Sequence, residues 1–179
     1  MIKPNFCTER FVIRDAVAAD IAPLSSICDS WKDKELLEGY LFEDSYIEKC
    51  ITQGDLPPAD GACQDLYALK VVERKQDSTP IGFFDLYHGY PQASTLWISI
   101  FVIDAPEQGA GVGKEIITQL TAEAKAAGLS KIGVDVYLKN WKGLRFWFNN
   151  GFSRVTAIKG DKEFGEGKFA VIHPEKSIQ

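Results

Sequence analysis

Two histidines, four cysteines and a single methionine are the only soft metal ligands in this chain of 179 residues. Cys7, Cys28, Cys50 and Cys63 form no C-x-x-C pair and have only His88 and His173 for company, so zinc-ligand spacing is missing. A disulfide framework does not suit a chain of this size and composition. A buried free thiol is instead expected at Cys28, which falls on an apolar helical stripe. No apolar run approaches the ~20 residues of a membrane span, and the N-terminus lacks the apolar core of a signal peptide. Basic charge is also short. A net charge of −5 and a pI near 5.1 argue against non-specific nucleic-acid binding and tilt the chain toward neutral or cationic partners. The expected setting is reducing and cytoplasmic, with no metal, membrane or nucleic acid as partner.

No repeat, low-complexity tract or linker divides the chain, so residues 1–179 read as one domain, long enough to close a sizeable core. Arg10 to Arg14 reads as a first strand, and a helix follows Asp20, with Pro23 tolerable in its first turn. Ile21, Leu24, Ile27, Cys28 and Trp31 recur at helical spacing and should face the core. The charges between Lys32 and Glu48 read as a solvated face, and a second helix is expected over about Glu43 to Thr52. Strands follow at Leu66–Glu73, Ile81–Tyr87 and Leu96–Ile103, then a helix at Gly111–Ala127 with Gly128 as its C-cap. Lys131–Leu138 is a strand, Asn140–Asn150 a short helix, and Ser153–Ile158 and Lys168–His173 a final pair of strands. The fold class that follows is mixed α/β (α+β), a single sheet of about seven strands flanked by helices.

The stretch that carries chemistry is Phe101 to Lys114. An apolar strand ends in Asp-Ala-Pro, and Gly109, Gly111 and Gly113 then lead straight into a helix. Glycines let a backbone approach an anion, and the free N–H groups and dipole of a first helical turn attract phosphate. Three frames compete for these glycines. A P-loop needs glycine where Gln108 stands and a hydroxyl where Glu115 stands. A dinucleotide fingerprint counted from Gly109 ends on Lys114, and counted from Gly111 it ends on Ile116. Neither fits. The third frame is Gln108-x-x-Gly111-x-Gly113.

That frame resembles the acyl-CoA loop of the GNAT (Gcn5-related) N-acetyltransferases, [QR]-x-x-G-x-[GA]. Further along, Asn140-Trp-Lys-Gly-Leu-Arg-Phe-Trp-Phe-Asn-Asn-Gly-Phe152 is similar to the family's second signature, with Gly143 for alanine and Trp147 for tyrosine. Phe11–Arg14 with Asp20, and Pro80–Phe83, resemble family blocks in the same order, so the resemblance spans nearly the whole chain. It implies a mostly antiparallel GNAT-like acyl-CoA N-acyltransferase fold, with acetyl-CoA as cosubstrate and a small-molecule or peptide amine as acceptor. A homodimer is compatible with it. Pantetheine amides would pair with the backbone of Phe101, Val102 and Ile103, facing the strand Lys131–Leu138. The pyrophosphate would lie on Gln108, Gly109, Ala110, Gly111, Val112, Gly113 and Lys114. A β-branched residue at Gly111 or Gly113 is then expected to abolish coenzyme binding while sparing the fold. Asn140 is both a helix N-cap and a partner for the pantetheine arm, and Trp147 stands beside it.

Acyl transfer to an amine needs a base, an oxyanion donor and an acid for the leaving thiolate. A backbone N–H near Val102 or Ile103 serves the oxyanion. The family's acid is a tyrosine where this chain has Trp147, whose indole cannot release a proton. Water or Tyr137 is left for that role. No carboxylate precedes Asp104 on the strand before the loop, which leaves Asp85 and Asp135 on its neighbours. Asp85 is the expected base or ammonium anchor. The acceptor pocket is expected among Trp31, Tyr40, Phe42, Tyr87, Tyr90 and Trp97, where aromatic faces suit a cation. A non-catalytic acyl-CoA-binding module is the alternative, and a nucleotide-binding enzyme is disfavoured by the motif frames.

Overall fold

The computed structural model describes residues 1–178. In chain order the strands are β1 (Phe6–Cys7), β2 (Phe11–Asp15), β3 (Tyr67–Arg74), β4 (Pro80–His88), β5 (Thr95–Ile98), β6 (Phe101–Ile103), β7 (Lys131–Val134), β8 (Val136–Tyr137), β9 (Arg154–Gly160) and β10 (Ala170–Ser177). The helices are α1 (Ile21–Ser30), α2 (Lys34–Glu38), α3 (Tyr46–Thr52), α4 (Val112–Ala126) and α5 (Trp141–Asn149). One mixed sheet runs β1-β2-β3-β4-β5-β7-β10-β8, with β6 beside β4 and β9 beside β10. All pairs are antiparallel except β5 with β7.

The strand count is ten, above the number expected from sequence, for three local reasons. The run Thr95–Ile103 breaks at Ser99 and Ile100, the run Lys131–Tyr137 breaks at Asp135, and Phe6–Cys7 adds a short edge strand on β2. The last strand also continues past His173 through Pro174 to Ser177. Pro174 sits where the register against β9 shifts, a place where its missing N–H is not needed.

Helices cover both faces of the sheet, giving two cores. Under α4 and α5 lie Phe84, Leu96, Ile98, Ile132, Val134 and Val136, packed against Ile116, Ile117 and Leu120. Under α1 and α3 lie Val71, Phe83, Trp97 and Val102, packed against Leu24, Ile27 and Ile47. Successive residues Phe83 and Phe84 therefore serve opposite cores, and both are fully buried. Truncating either to alanine should cost about 3–5 kcal/mol. The apolar stripe of α1 is confirmed at Leu24, Ile27 and Cys28, while Ile21 and Trp31 are half-buried at its ends.

The charged segment after α1 departs from expectation. It folds into α2, and Lys34 is not solvated but 1% exposed. Its Nζ lies 2.9 Å from Glu38 Oε2, one helical turn on. It also sits 3.3 Å from the Tyr40 ring centroid and 4.6 Å from that of Phe42.

Candidate active site

The site begins with a bulge. Tyr87 stands opposite Trp97, but Phe84 stands opposite Phe101, so the β5–β6 strand holds one more residue than β4 over this span. Asp85 fills the resulting pocket. Its Oδ1 accepts the N–H groups of Ser99 (2.7 Å) and Ile100 (3.0 Å). Its own N–H donates to the Ile100 carbonyl at 3.2 Å. Burial pushes the Asp85 carboxyl up to about 8, against the pull of the two amide donors.

Past the bulge the sheet opens. The parallel pairing of β5 with β7 stops at Ile98 and Val134. Beyond it β6 stays with β4, whereas β8 goes with β10. Alternation fixes which backbone groups face the opening. Asp104 donates to the Ile81 carbonyl and Asp85 to that of Ile100, so the hydrogen-bonded partner between them is Val102 with Phe83. Val102 therefore turns its backbone groups to β4. Phe101 and Ile103 turn theirs to the gap.

The gap is one end of a cleft of about 570 Å³ lined by Phe101–Ile103, Gln108, Gly109, Gly111–Lys114, Asn140 and Trp147, with Ser30, Trp31 and Leu37 on its other wall. Eleven of the twelve residues expected at the coenzyme site line it. Ala110 does not. It faces outward, and its carbonyl accepts from Arg10 Nη2 at 3.3 Å.

The three glycines are glycine for different reasons. Gly109 and Gly111 have φ of +82° and +79°, the left-handed region that turns the chain into α4. Gly113 lies within the helix, and a Cβ there would stand 2.9 Å from Phe146 Cε2. A β-branched residue at Gly113 would thus disturb the packing of α4 on α5 as well as the cleft, a correction to the expectation that the fold is spared. The N–H groups of the first α4 turn face the loop end of the cleft, where the helix dipole favours an anion.

Arg10, which carried no signal in the sequence, braces this loop. It reaches Glu115 Oε2 through Nε at 2.7 Å and Glu115 Oε1 through its backbone N–H at 2.9 Å. Gln108 also works within the chain, donating from Nε2 to the Ile103 carbonyl at 2.9 Å.

Asn140 caps α5, its Oδ1 accepting the Gly143 N–H at 2.8 Å. A Cβ on residue 143 would lie 2.9 Å from the Asn140 side chain, which accounts for glycine there. Trp147 is buried, its ring centroid 5.6 Å from that of Phe101 and 4.8 Å from that of Phe152.

The two residues expected to do chemistry lie outside the cleft lining. Asp85 is buried beneath the bulge. Tyr137 is half-buried on β8, its ring centroid 6.3 Å from that of Tyr40, and burial raises its hydroxyl. The aromatic residues expected around the acceptor separate into two groups. Trp31, Tyr40 and Phe42 surround the chain's own Lys34. Tyr87 and Trp97 are buried in the second core, with Tyr90 edge-on to Trp97 at 5.1 Å.

Among the described residues no cluster of three or more His, Cys, Asp and Glu side chains could hold a metal ion. No helix among them is long and apolar enough to cross a membrane.

The family model described as the acetyltransferase (GNAT) family matches residues 32–152, which include the glycine loop, the opened strands and α5. No curated protein matches the sequence at a significant level. Solved structures resemble the fold throughout. One is an acetyltransferase from Thermus thermophilus, 17% identical, TM-score 0.69, covering 96% of this chain and 99% of its own. Another is the ribosomal-protein-S18-alanine N-acetyltransferase from Escherichia coli, 14% identical, TM-score 0.69, covering 94% of each chain. A third is a spermidine N-acetyltransferase chimera from Vibrio cholerae and hSSAT, 16% identical, TM-score 0.70, covering 95% of this chain and 96% of its own. At these identities the likeness establishes the fold.

Proposed function

The chain belongs to the acetyltransferase (GNAT) family, and from that premise we propose that it moves the acetyl group of acetyl-CoA directly to a primary amine of a small molecule or peptide. The observation that carries the proposal is the continuous cleft from the α4 N-terminus, along Phe101 and Ile103, to the break between β6 and β8. Its loop end offers backbone N–H groups to a pyrophosphate without a side chain in the way at Gly109 or Gly111. Its strand end offers the free peptide groups of Phe101 and the N–H of Ile103 to the pantetheine amides and the thioester oxygen. The Ile103 carbonyl already accepts from Gln108.

Transfer then requires an amine nitrogen with a free lone pair, a donor for the oxyanion, and a proton for the departing sulfur. The Ile103 and Phe101 N–H groups answer the second need. Trp147, at the family's tyrosine position, donates a hydrogen bond but no proton, so the thiolate takes its proton from water or from Tyr137. Asp85 enters as a positioning group that holds the bulge from beneath.

Trp147 also favours a second reading, a module that holds acyl-CoA without turning it over. Thiol release from acetyl-CoA, measured with and without an amine panel of alkylamines, polyamines and peptides, separates the two. Amine-dependent release, with one acetyl group gained by the amine, supports the transferase. Tight coenzyme binding with no release under any amine supports the binding module.

A further inference from the structure

The break between β7 and β8 leaves Asp135 as the first residue past the point where the parallel strands part. On the neighbouring strand the register of β10 against β9 shifts between Ile172 and Pro174, around His173. In the continuous register of β7 and β8 against β10 the two residues stand opposite each other, and His173 Nε2 lies 2.9 Å from Asp135 Oδ1, a buried oxygen with no aligned hydrogen bond of its own.

Side-chain alternation places this pair on a definite side of the sheet. Ile132, Val134, Val136 and Ile172 enter the core beneath α4 and α5, so Asp135, Tyr137 and His173 project from the opposite face. That is the face of α1 and α3, and Trp97 of the second core stands edge-on to His173 at 5.4 Å. The side chain of His173 is 9% exposed and that of Asp135 is 37% exposed. The carboxylate is the open end of the pair and the imidazole its covered end.

We propose that Asp135, backed by His173, receives the proton of the acceptor ammonium at the apex of the opened sheet. The assignment rests on the acetyltransferase function proposed above. Neither strand carboxylate lines the cleft. Asp85 has one oxygen occupied by the bulge amides and is fully buried, whereas Asp135 stands just past the parting of β5 and β7 with its side chain 37% exposed. Asp135 is the one a cationic amine can approach.

The step balances as follows. An alkylammonium gives one proton to the Asp135–His173 pair, and the freed lone pair forms the N–C bond to the thioester carbonyl. The C–S bond then breaks, the second nitrogen proton leaves, and the thiolate ends protonated as coenzyme A thiol. One proton passes from the pair to solvent per turnover.

The groups facing the pair are few. Lys159 on β9 disfavours a proton on both members, and Tyr137 on β8 senses Asp135. Glu38 and Tyr40, from α2 and the loop after it, act on Tyr137. Glu175, further along β10, is engaged with Lys131 at 3.6 Å. Burial pushes the Asp135 carboxyl up to about 6 and lowers the imidazole. A base with such a value is matched to neutral pH.

The test compares two small acceptors in thiol release from acetyl-CoA above the enzyme-free rate: methylamine, an ammonium ion at neutral pH, and hydroxylamine, which is uncharged there. Asp135→Asn should lose roughly 10²–10⁴-fold in kcat with methylamine while keeping its rate with hydroxylamine within about twofold. Asp135→Glu should restore part of the loss. His173→Gln should move the acid limb of the methylamine pH profile with little change in KM. Equal losses on both acceptors, or none on methylamine, would overturn the assignment. Wild-type protein that binds coenzyme A yet releases thiol with neither acceptor nor with any amine of the panel above would remove the transferase function, and this role with it. Because the chain has only two histidines, NMR titration reads His173 directly. An unchanged His173 midpoint in Asp135→Asn would overturn the pairing whatever the kinetics.

Discussion

Replacing Asp85 with asparagine should destabilise the protein at acid pH and stabilise it at alkaline pH. The carboxyl is fully buried, one oxygen accepts two amides, and Oδ2 has no partner. Its value in the folded chain is raised to about 8, against about 3.9 when unfolded. Folding therefore favours the protonated form. The stability this contributes is fully present below about pH 4 and is lost as the pH rises through about 8. At about 1.4 kcal/mol per pKa unit the swing is on the order of 5 kcal/mol, an upper figure for a group buried in one rigid strand pair. Asparagine keeps a carbonyl oxygen for the Ser99 and Ile100 amides but places an NH₂ where the carboxyl's Oδ2 has no hydrogen-bond partner, at a cost of about 1–3 kcal/mol if it stays unpaired. Asp85→Asn should therefore be less stable than wild type near about pH 5 and more stable near about pH 9. Urea midpoints across that range, at fixed ionic strength and with unchanged m-values, measure the crossing. Parallel curves for the two proteins would refute the placement of a titrating carboxyl beneath the bulge. Because the bulge is still held, coenzyme affinity should stay within about threefold, which is less than ~1 kcal/mol.

Arg10→Ala should leave stability nearly unchanged, since the Arg10–Glu115 pair lies at the surface, with the arginine side chain 46% exposed, and is worth about 0–1 kcal/mol. Coenzyme affinity should nevertheless fall about tenfold by calorimetry, because ordering the loop that Arg10 braces at Ala110 costs about 1–2 kcal/mol per residue. Lys34→Met should destabilise the protein by about 3–5 kcal/mol in urea melts, because it strands Glu38, whose side chain is 10% exposed. Adding Glu38→Leu should recover most of that loss. No recovery would place the effect in the aromatic packing rather than in the stranded charge.

How much of this was legible in the sequence depends on the range of the physics involved. Helix α4 could be read because Ile116, Ile117, Leu120 and Ala124 repeat locally, and the loop because only glycine suits Gly109 and Gly111. Asn140 as an N-cap is likewise a contact across three residues. The bulge is different. Whether Asp85 faces solvent or a backbone depends on one extra residue in another strand, which alternation within its own strand cannot report. Lys34 looked solvated because a charge run normally is, and only tertiary packing brings Trp31, Tyr40 and Phe42 around it. Asp135 and His173 meet because β10 pairs with β7 and β8 in a register that sets them opposite, a pairing of strands distant in sequence that neither strand's own pattern reports. Arg10 gave no signal at all, since a basic residue before a strand is ordinary until the loop it touches is placed.

The central claim is that the cleft from the α4 N-terminus to the parted strands holds coenzyme A. Calorimetric titration of coenzyme A into the wild type and Gly111→Val tests it most directly. Valine at a φ of +79° strains the loop by about 1–2 kcal/mol or more, little enough for the fold to survive. The wild type should bind one coenzyme per chain, and the folded variant should bind at least about tenfold more weakly, a loss of ~1.4 kcal/mol or more. A wild type that takes up no coenzyme A, or a variant that binds it equally well, would contradict the account.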